Sequence, residues 1–259
     1  ATSLPTDIGR TTAEIFAAAN AGKIDALVLG GVDPLDIENS AEVLSALKKA
    51  FVVSLEIAPS AATELANVVL PVATVVEKSG SFLNWEGSAR TFDAAVADSL
   101  NRSDLRILSA LADEMGTTIS LGTVTAASRE IASLGVWDGA RASFSPVAAK
   151  SAPSISGNDA ILTSWRRLLD LGTLQKGEEN LAGTARQTVA VISPKRADAL
   201  GVKTGDSLRI SNVNGAVTLP ALVEDIHDDA VWAPRNSRGS ELLAKLGTGS
   251  GSVVSVVKA

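Results

Sequence analysis

Along the first 120 residues, hydrophobic positions switch between a helical period and short continuous runs. Thr11 and Glu14 stand at capping-box spacing ahead of Ile15 and Phe16, and Gly22 supplies a left-handed stop, which predicts a helix over residues 12–21. Ala26 to Leu29 is a short apolar run closed by Gly30-Gly31, where the absent β-carbons permit a tight turn. Ser40 is the expected cap of a second helix, with Val43, Leu44, Leu47 and Ala50 on one face. Strands are expected at Phe51 to Leu55 and at Val68 to Leu70, the latter closed by Pro71. Ser103 and Asp104 open a further helix, in which Leu105, Leu108, Leu111, Ala112 and Met115 recur until Gly116. Strands alternating with helices imply a parallel sheet covered on both faces, so residues 1–120 read as half of a doubly wound α/β domain.

The pattern then weakens. Residues 121–182 read as a connecting segment; residues 117–157 are rich in Ser, Ala, Gly and Thr, with some helix near Ala126 to Ser133. A second helix is expected over 158–171, with Asn158 as cap, Gly172 as stop, and Ile161, Leu162, Trp165, Leu168 and Leu169 on one stripe. Beyond Gly183 the period becomes two. Ser193-Pro194 starts a short helix that Gly201 ends, because serine caps free N–H groups and proline has none to waste at the first position. Ser207 to Ser211 and Ala216 to Val223 are strands joined at Asn214-Gly215, a dipeptide that tolerates positive φ. Val231 to Ala233 and Val253 to Val257 add further strands, and residues 183–259 are expected to close into a small barrel, which leaves few edges open.

Composition narrows the chemistry. The 259 residues carry a net charge of −6, which offers no electrostatic footprint for nucleic acid or anionic lipid. The uncharged run from Leu65 to Val76 is shorter than the roughly 18 residues a membrane span requires, and no signal peptide opens the chain, so a cytoplasmic setting is expected. Cysteine is absent, which removes disulfides, thiolate nucleophiles and cysteine-ligated iron–sulfur clusters, and no metal centre is expected. The single histidine, His227, lies in an Asp-rich stretch that reads as a solvated turn. Glu178-Glu179 and Asp228-Asp229 are adjacent carboxylates in polar loops, where solvation keeps both ionised. No catalytic residue is assigned.

Three segments, in this order, resemble signatures of the molybdopterin oxidoreductase family. Gly30-Gly31-Val32-Asp33-Pro34 after a strand is similar to the family's Gly-x-Asn-Pro turn, with Asp33 in place of Asn. Asn67-Val68-Val69-Leu70-Pro71, then Glu77, Gly80, Asn84, Glu86, Gly87 and Arg90, resembles Ala-Asp-Val-Val-Leu-Pro followed by Glu-x-x-Gly-x-x-x-Asn-x-Glu-Gly-Arg. Asn67 replaces aspartate there, and Ser88-Ala89 separates the arginine from Gly87. Glu77, Asn84, Glu86 and Arg90 after a strand end would line a ligand crevice; a Glu86–Arg90 surface pair is the competing explanation. The third segment, Leu181 to Arg186 through Ser193-Pro194, Leu200-Gly201-Val202 and Gly205-Asp206, resembles the family's dinucleotide-binding double-psi β-barrel.

The resemblance implies a Rossmann-like α/β half-domain followed by that barrel. It places Gly30, Gly31, Asp33, Pro34, Glu77, Asn84, Glu86, Arg90, Thr184 and Arg186 at a cofactor site that has become vestigial. Trp165 to Asp170, then Gln175, Gly177 and Glu178, resemble the G subunits of bacterial NADH:quinone oxidoreductase more than the molybdenum enzymes. That implies a structural region of an iron–sulfur subunit in the respiratory chain, peripheral to the inner membrane. Its partners are the other hydrophilic-arm subunits of complex I, it carries no cofactor itself, and its clusters lie in preceding cysteine-rich domains. The alternative is the cofactor-binding part of a molybdenum or tungsten oxidoreductase such as a formate dehydrogenase, holding molybdopterin guanine dinucleotide.

Overall fold

The computed structural model describes residues 9–96, 98–135, 151 and 153–259. Two compact units divide the chain, Ala1–Val32 with Leu47–Val147, and Asp33–Ala46 with Ala148–Ala259.

The first unit starts with α1 (Thr12–Asn20), capped as its sequence predicts: Thr11 N–H donates to Glu14 Oε2 at 2.7 Å, and Glu14 N–H donates to Thr11 Oγ1 at 3.4 Å. Next in the chain come β1 (Ala26–Gly30), α2 (Ser40–Lys49), most of which, up to Ala46, belongs to the second unit, then β2 (Phe51–Glu56), α3 (Ala61–Leu65) and β3 (Val68–Pro71). The three strands form a parallel sheet in the order β1-β2-β3, with Val28 opposite Val53 and Val53 opposite Val68. A right-handed crossover between β2 and β3 lays α3 against one face of the sheet. Leu27, Leu29 and Val52 are buried on one side, while Ala26, Val28 and Phe51 are exposed on the other. Ser40 is not the expected cap: it is the first helical residue, and its hydroxyl donates to Leu243 O. Asn39, held at φ 57°, instead offers its carbonyl to Glu42 and Val43 N–H. A separate hairpin, β4 (Gly80–Leu83) and β5 (Ala89–Phe92), stacks Phe82 on Phe92 at 4.8 Å. Ser103 caps α4 (Asp104–Glu114) and Thr123 caps α5 (Val124–Leu134), the latter within the expected connecting segment.

The second unit corrects the expected helix over 158–171. Asp159–Thr163 is a strand, β6, alternating half-buried and buried residues, with Ala160 and Leu162 sealed inside. Helical spacing of Ile161, Leu162 and Trp165 is coincidental; long-range pairing with strands near the other end of the chain decides the outcome. The rest are α6 (Glu179–Ala182), β7 (Ala190–Ile192), α7 (Pro194–Leu200), β8 (Ser207–Asn212), β9 (Gly215–Val223), β10 (Ala230–Trp232), α8 (Leu242–Leu246) and β11 (Val253–Lys258). They close into a six-stranded double-psi barrel in the order β10-β6-β11-β8-β9-β7, in which β6–β10 and β7–β9 are parallel. The barrel therefore begins at Asp159 rather than at 183, because β6 fills the place between β10 and β11.

Its interior is packed by Leu162, Ile192, Leu208, Ile210, Val231 and Val256, all fully buried, and α8 adds Leu242 and Leu246. Ser193 caps α7 and Gly201 ends it in the left-handed region at φ 61°, as the Ser-Pro and Gly signals predict. Gly215 is required for a different reason: a β-carbon there would sit 2.3 Å from Lys245 O. No helix among the described residues is long and apolar enough to cross a membrane.

Candidate functional site

In open parallel sheets, ligands bind beyond the carboxyl ends of the strands. In the first unit that edge carries Gly30 and Gly31 after β1, Glu56 at the end of β2, and Pro71 to Glu77 after β3. Gly31 N–H donates to Leu55 O at 3.1 Å and takes φ 62°, and a β-carbon on Gly30 would meet nothing within 4 Å. The backbone there faces open space, the one feature of the expected turn that suits close approach of a ligand.

The polar residues expected around it are occupied by their own neighbours. Glu77 accepts from Ser99 Oγ at 2.6 Å, Thr74 N–H at 2.7 Å, Thr74 Oγ1 at 2.9 Å and Asn101 Nδ2 at 3.0 Å. The Ser99 hydroxyl and then Thr74 hold its carboxylate down to about 2. Glu77 is thus a knot tying the turn after β3 to residues 99–101. Asn84 closes the hairpin, its Oδ1 accepting from Ser88 N–H at 2.8 Å and Glu86 N–H at 3.1 Å, while its amide donates to Glu86 Oε2 at 3.3 Å. Arg90 lies exposed on β5, and Glu86 and Arg90, both described, form no ion pair. Asn67, where the family pattern has aspartate, continues the ladder: its Oδ1 accepts from Val52 N–H and its N–H donates to Val52 O, both at 2.8 Å.

The remaining residues belong to the second unit. Asp33 Oδ1 accepts from Leu35 N–H at 3.0 Å, capping the turn that buried Pro34 begins. A carboxylate caps there as well as the amide it replaces. Thr184 Oγ1 donates to Leu181 O at 2.8 Å, and the Arg186 carbonyl accepts from Arg167 at 3.1 Å. Two expected residues, Arg90 and Arg186, are cationic, against the carboxylates of Asp33, Glu77 and Glu86. A dinucleotide diphosphate needs cations and free N–H donors. The residues expected at the cofactor site do not fit it. No cluster of three His, Cys, Asp or Glu side chains among the described residues is placed to hold a metal ion.

A different cluster escaped sequence reasoning. Trp165, expected on a buried helical stripe, is 62% exposed in the loop after β6 and packs against Trp232 of β10 at 4.8 Å. Arg167 lies over the Trp232 ring at 5.3 Å and donates to Gln187 O at 2.6 Å; burial, with Arg186 nearby, lowers its pKa. Trp232 Nε1 and Ser237 Oγ, in the same barrel, are buried without a hydrogen-bond partner, as is Arg235 Nε, which lies 4.0 Å from Asp36. Buried orphan donors of this kind are rare in folded proteins. The cluster depends on β6 pairing with β10, which spacing along the chain does not reveal. Arg166 instead anchors the loop, donating to Asp36 at 2.6 Å and to Asp170 at 2.7 Å.

Two grooves lie elsewhere. One, of about 450 Å³, is lined by Leu70, Pro71, Leu100, Arg102, Ile107 and Leu111 in the first unit; the other, of about 730 Å³, is lined by polar residues including Asn39, Asp159, Asn212 and Thr248 in the second. Leu70 and Pro71 belong to the second resembling segment, but neither groove includes any of the ten residues expected at the cofactor site. His227 serves its own turn, Nδ1 accepting from Asp229 N–H at 3.2 Å.

With this geometry in place, known proteins give a consistent picture. Residues 1–114 match the molybdopterin oxidoreductase family, and residues 161–256 match the molydopterin dinucleotide binding domain. The G subunit of NADH-quinone oxidoreductase from Mycobacterium tuberculosis is 45% identical over 98% of this chain and 32% of its own length. The protein of that name from Streptomyces coelicolor is 42% identical over 98% of this chain and 31% of its own. The chain therefore spans about a third of the curated relatives it matches. Among solved structures, acetylene hydratase from Pelobacter acetylenicus aligns with a TM-score of 0.57, covering 95% of this chain and 46% of that one at 16% identity, a likeness of fold.

Proposed function

We propose, from the premise that the chain belongs to the molybdopterin oxidoreductase family, that it is a structural region of a G-type subunit of NADH:quinone oxidoreductase. The observation that carries this reading is identity of 42–45% along 98% of the chain to proteins of that name. The local use of Asp33, Glu77, Asn84 and Thr184 supports it, because their hydrogen bonds hold the fold rather than await a ligand. The two units enlarge the subunit and brace it against other hydrophilic-arm subunits of complex I. Electrons pass from NADH to quinone through iron–sulfur clusters elsewhere in the longer polypeptide; with no cysteine, these residues cannot ligate such a cluster through thiolates. The complex holds the subunit at the cytoplasmic side of the inner membrane.

The test is to tag the native polypeptide and purify it from detergent-solubilised membranes. Co-purification with NADH:quinone oxidoreductase activity is expected, and loss of complex assembly when residues 9–259 are deleted. An intact, fully active complex that lacks the polypeptide overturns the reading.

One observation favours a second reading, that the chain is the cofactor-binding part of a molybdenum or tungsten oxidoreductase: the orphan donors of Trp232 and Ser237 in the barrel. Metal analysis of the native polypeptide, prepared with cofactor synthesis intact, separates the two. Stoichiometric molybdenum or tungsten supports the second reading; less sinks it.

A further inference from the structure

Asn214-Gly215 is the only Asn-Gly pair in the sequence, and the fold holds both residues in place. A β-carbon on Gly215 would lie 2.3 Å from Lys245 O. Asn214 Nδ2 donates to Leu246 O at 3.0 Å, beside Asn212 Nδ2, which donates to the same oxygen at 2.8 Å. These two amides fasten the turn between β8 and β9 to the last carbonyls of α8, which ends at Gly247 in the left-handed region. The pair is also chemically vulnerable. Glycine has no β-carbon to shield its nitrogen from the preceding side-chain amide.

We propose that Asn214 is a deamidation site, protected while the turn is docked on α8 and open to reaction when it lifts, and that its conversion to a carboxylate weakens the docking. In the first step the Gly215 nitrogen attacks Asn214 Cγ. The N–Cγ bond forms, the Cγ–Nδ2 bond breaks, and Nδ2 leaves as ammonia with the proton that Gly215 gives up. Water then adds to one carbonyl of the cyclic imide and breaks that carbonyl's bond to nitrogen, which leaves aspartate or isoaspartate at position 214. No oxidant or reductant takes part. Asn214 is exposed, so hydrogen bonds rather than burial protect it. Asn212 Oδ1 accepts from Gly215 N–H at 3.2 Å and from Asn214 N–H at 2.9 Å, which keeps the proton on the attacking nitrogen. The product cannot restore the contact. A carboxylate has no N–H to give Leu246 O and sets a negative charge against the carbonyl end of α8.

The test incubates the full-length polypeptide at mildly alkaline pH, folded and in urea, and follows conversion at position 214 by peptide mass spectrometry. Conversion is expected to be at least about tenfold slower in the folded chain. Equal rates overturn the protection. Asn212→Ala removes the acceptor of the Gly215 N–H and is expected to raise the folded rate about fivefold, the worth of one hydrogen bond. Hydrogen exchange in β10, which pairs with neither β8 nor β9, is the reference for general loosening. A rise in conversion no larger than the rise in β10 exchange also overturns the protection. The consequence is read separately from Asn214→Asp. Exchange at Gly215 and Gly247 is expected to increase at least about threefold while β10 stays unchanged. Unchanged exchange at the two glycines, or an equal increase in β10, overturns the weakened docking.

Discussion

The two units solve the burial of apolar surface differently. Among the described residues, ten of the twelve largest fully buried side chains lie in the barrel unit, and Leu47 and Val52 alone in the sheet unit. Exposed large hydrophobic residues on the strands and hairpin show the opposite bias, with Val28, Phe51, Val68, Phe82, Leu83 and Trp85 all in the sheet unit. Closure explains the contrast. A barrel joins its last strand to its first and encloses its own interior, whereas an open sheet of three strands has two edges and two faces to cover. The lesson is that self-sufficiency comes from topology more than from hydrophobic content.

Cavity formation in the barrel tests this most severely. Leu208→Ala is expected to cost about 2–5 kcal/mol in urea unfolding, since its side chain is wholly enclosed. A loss below about 1 kcal/mol breaks the contrast. Gly215→Ala comes next, at about 1–3 kcal/mol, because its β-carbon meets the Lys245 carbonyl rather than a side chain that can move. Ser193→Ala removes the α7 cap and is expected to cost about 1 kcal/mol in the same assay.

Acid sharpens the comparison from the sheet side. Glu77 is held at about 2 in the fold against an ordinary 4.5, so its contribution is full above pH 4.5 and is lost as pH falls from there toward 2. Glu77→Gln is expected to flatten the pH dependence of stability in that window, with hydrogen exchange changing around residues 74–77 and 99–101 and not in the barrel. Unchanged pH dependence contradicts the assignment. The smallest effect is expected at Val28→Ala, within about 0.5 kcal/mol, because the side chain is exposed. A loss as large as that of Leu208→Ala breaks the contrast between the two units.

What the sequence reveals follows the range of the interaction. The caps at Thr11, Ser103 and Ser193 and the stop at Gly201 are legible because each is settled within a few residues. The parallel strands are legible as apolar runs, and the family resemblance supplies the barrel. Asp159–Thr163 is misread because its five residues carry both periods, and its partners at Val231 and Val254 are about 70 and 90 residues away. The site is less legible than the fold for the same reason. Asp33, Asn84 and Thr184 are found by motif, but their bonds to Leu35, Ser88 and Leu181 emerge only with coordinates. Trp165 beside Trp232 is invisible until β6 and β10 meet.

The place of β11 between β6 and β8 also bears on how the protein is made. A ribosome adding about 5–20 residues per second emits Asp159–Thr163 several seconds before Val253–Lys258, and until then β6 lacks its antiparallel neighbour. Until Ala230–Trp232 follows, the nascent strand has neither neighbour, and its β11 side stays open to the end, so chaperone occupancy during translation should be greatest over this interval.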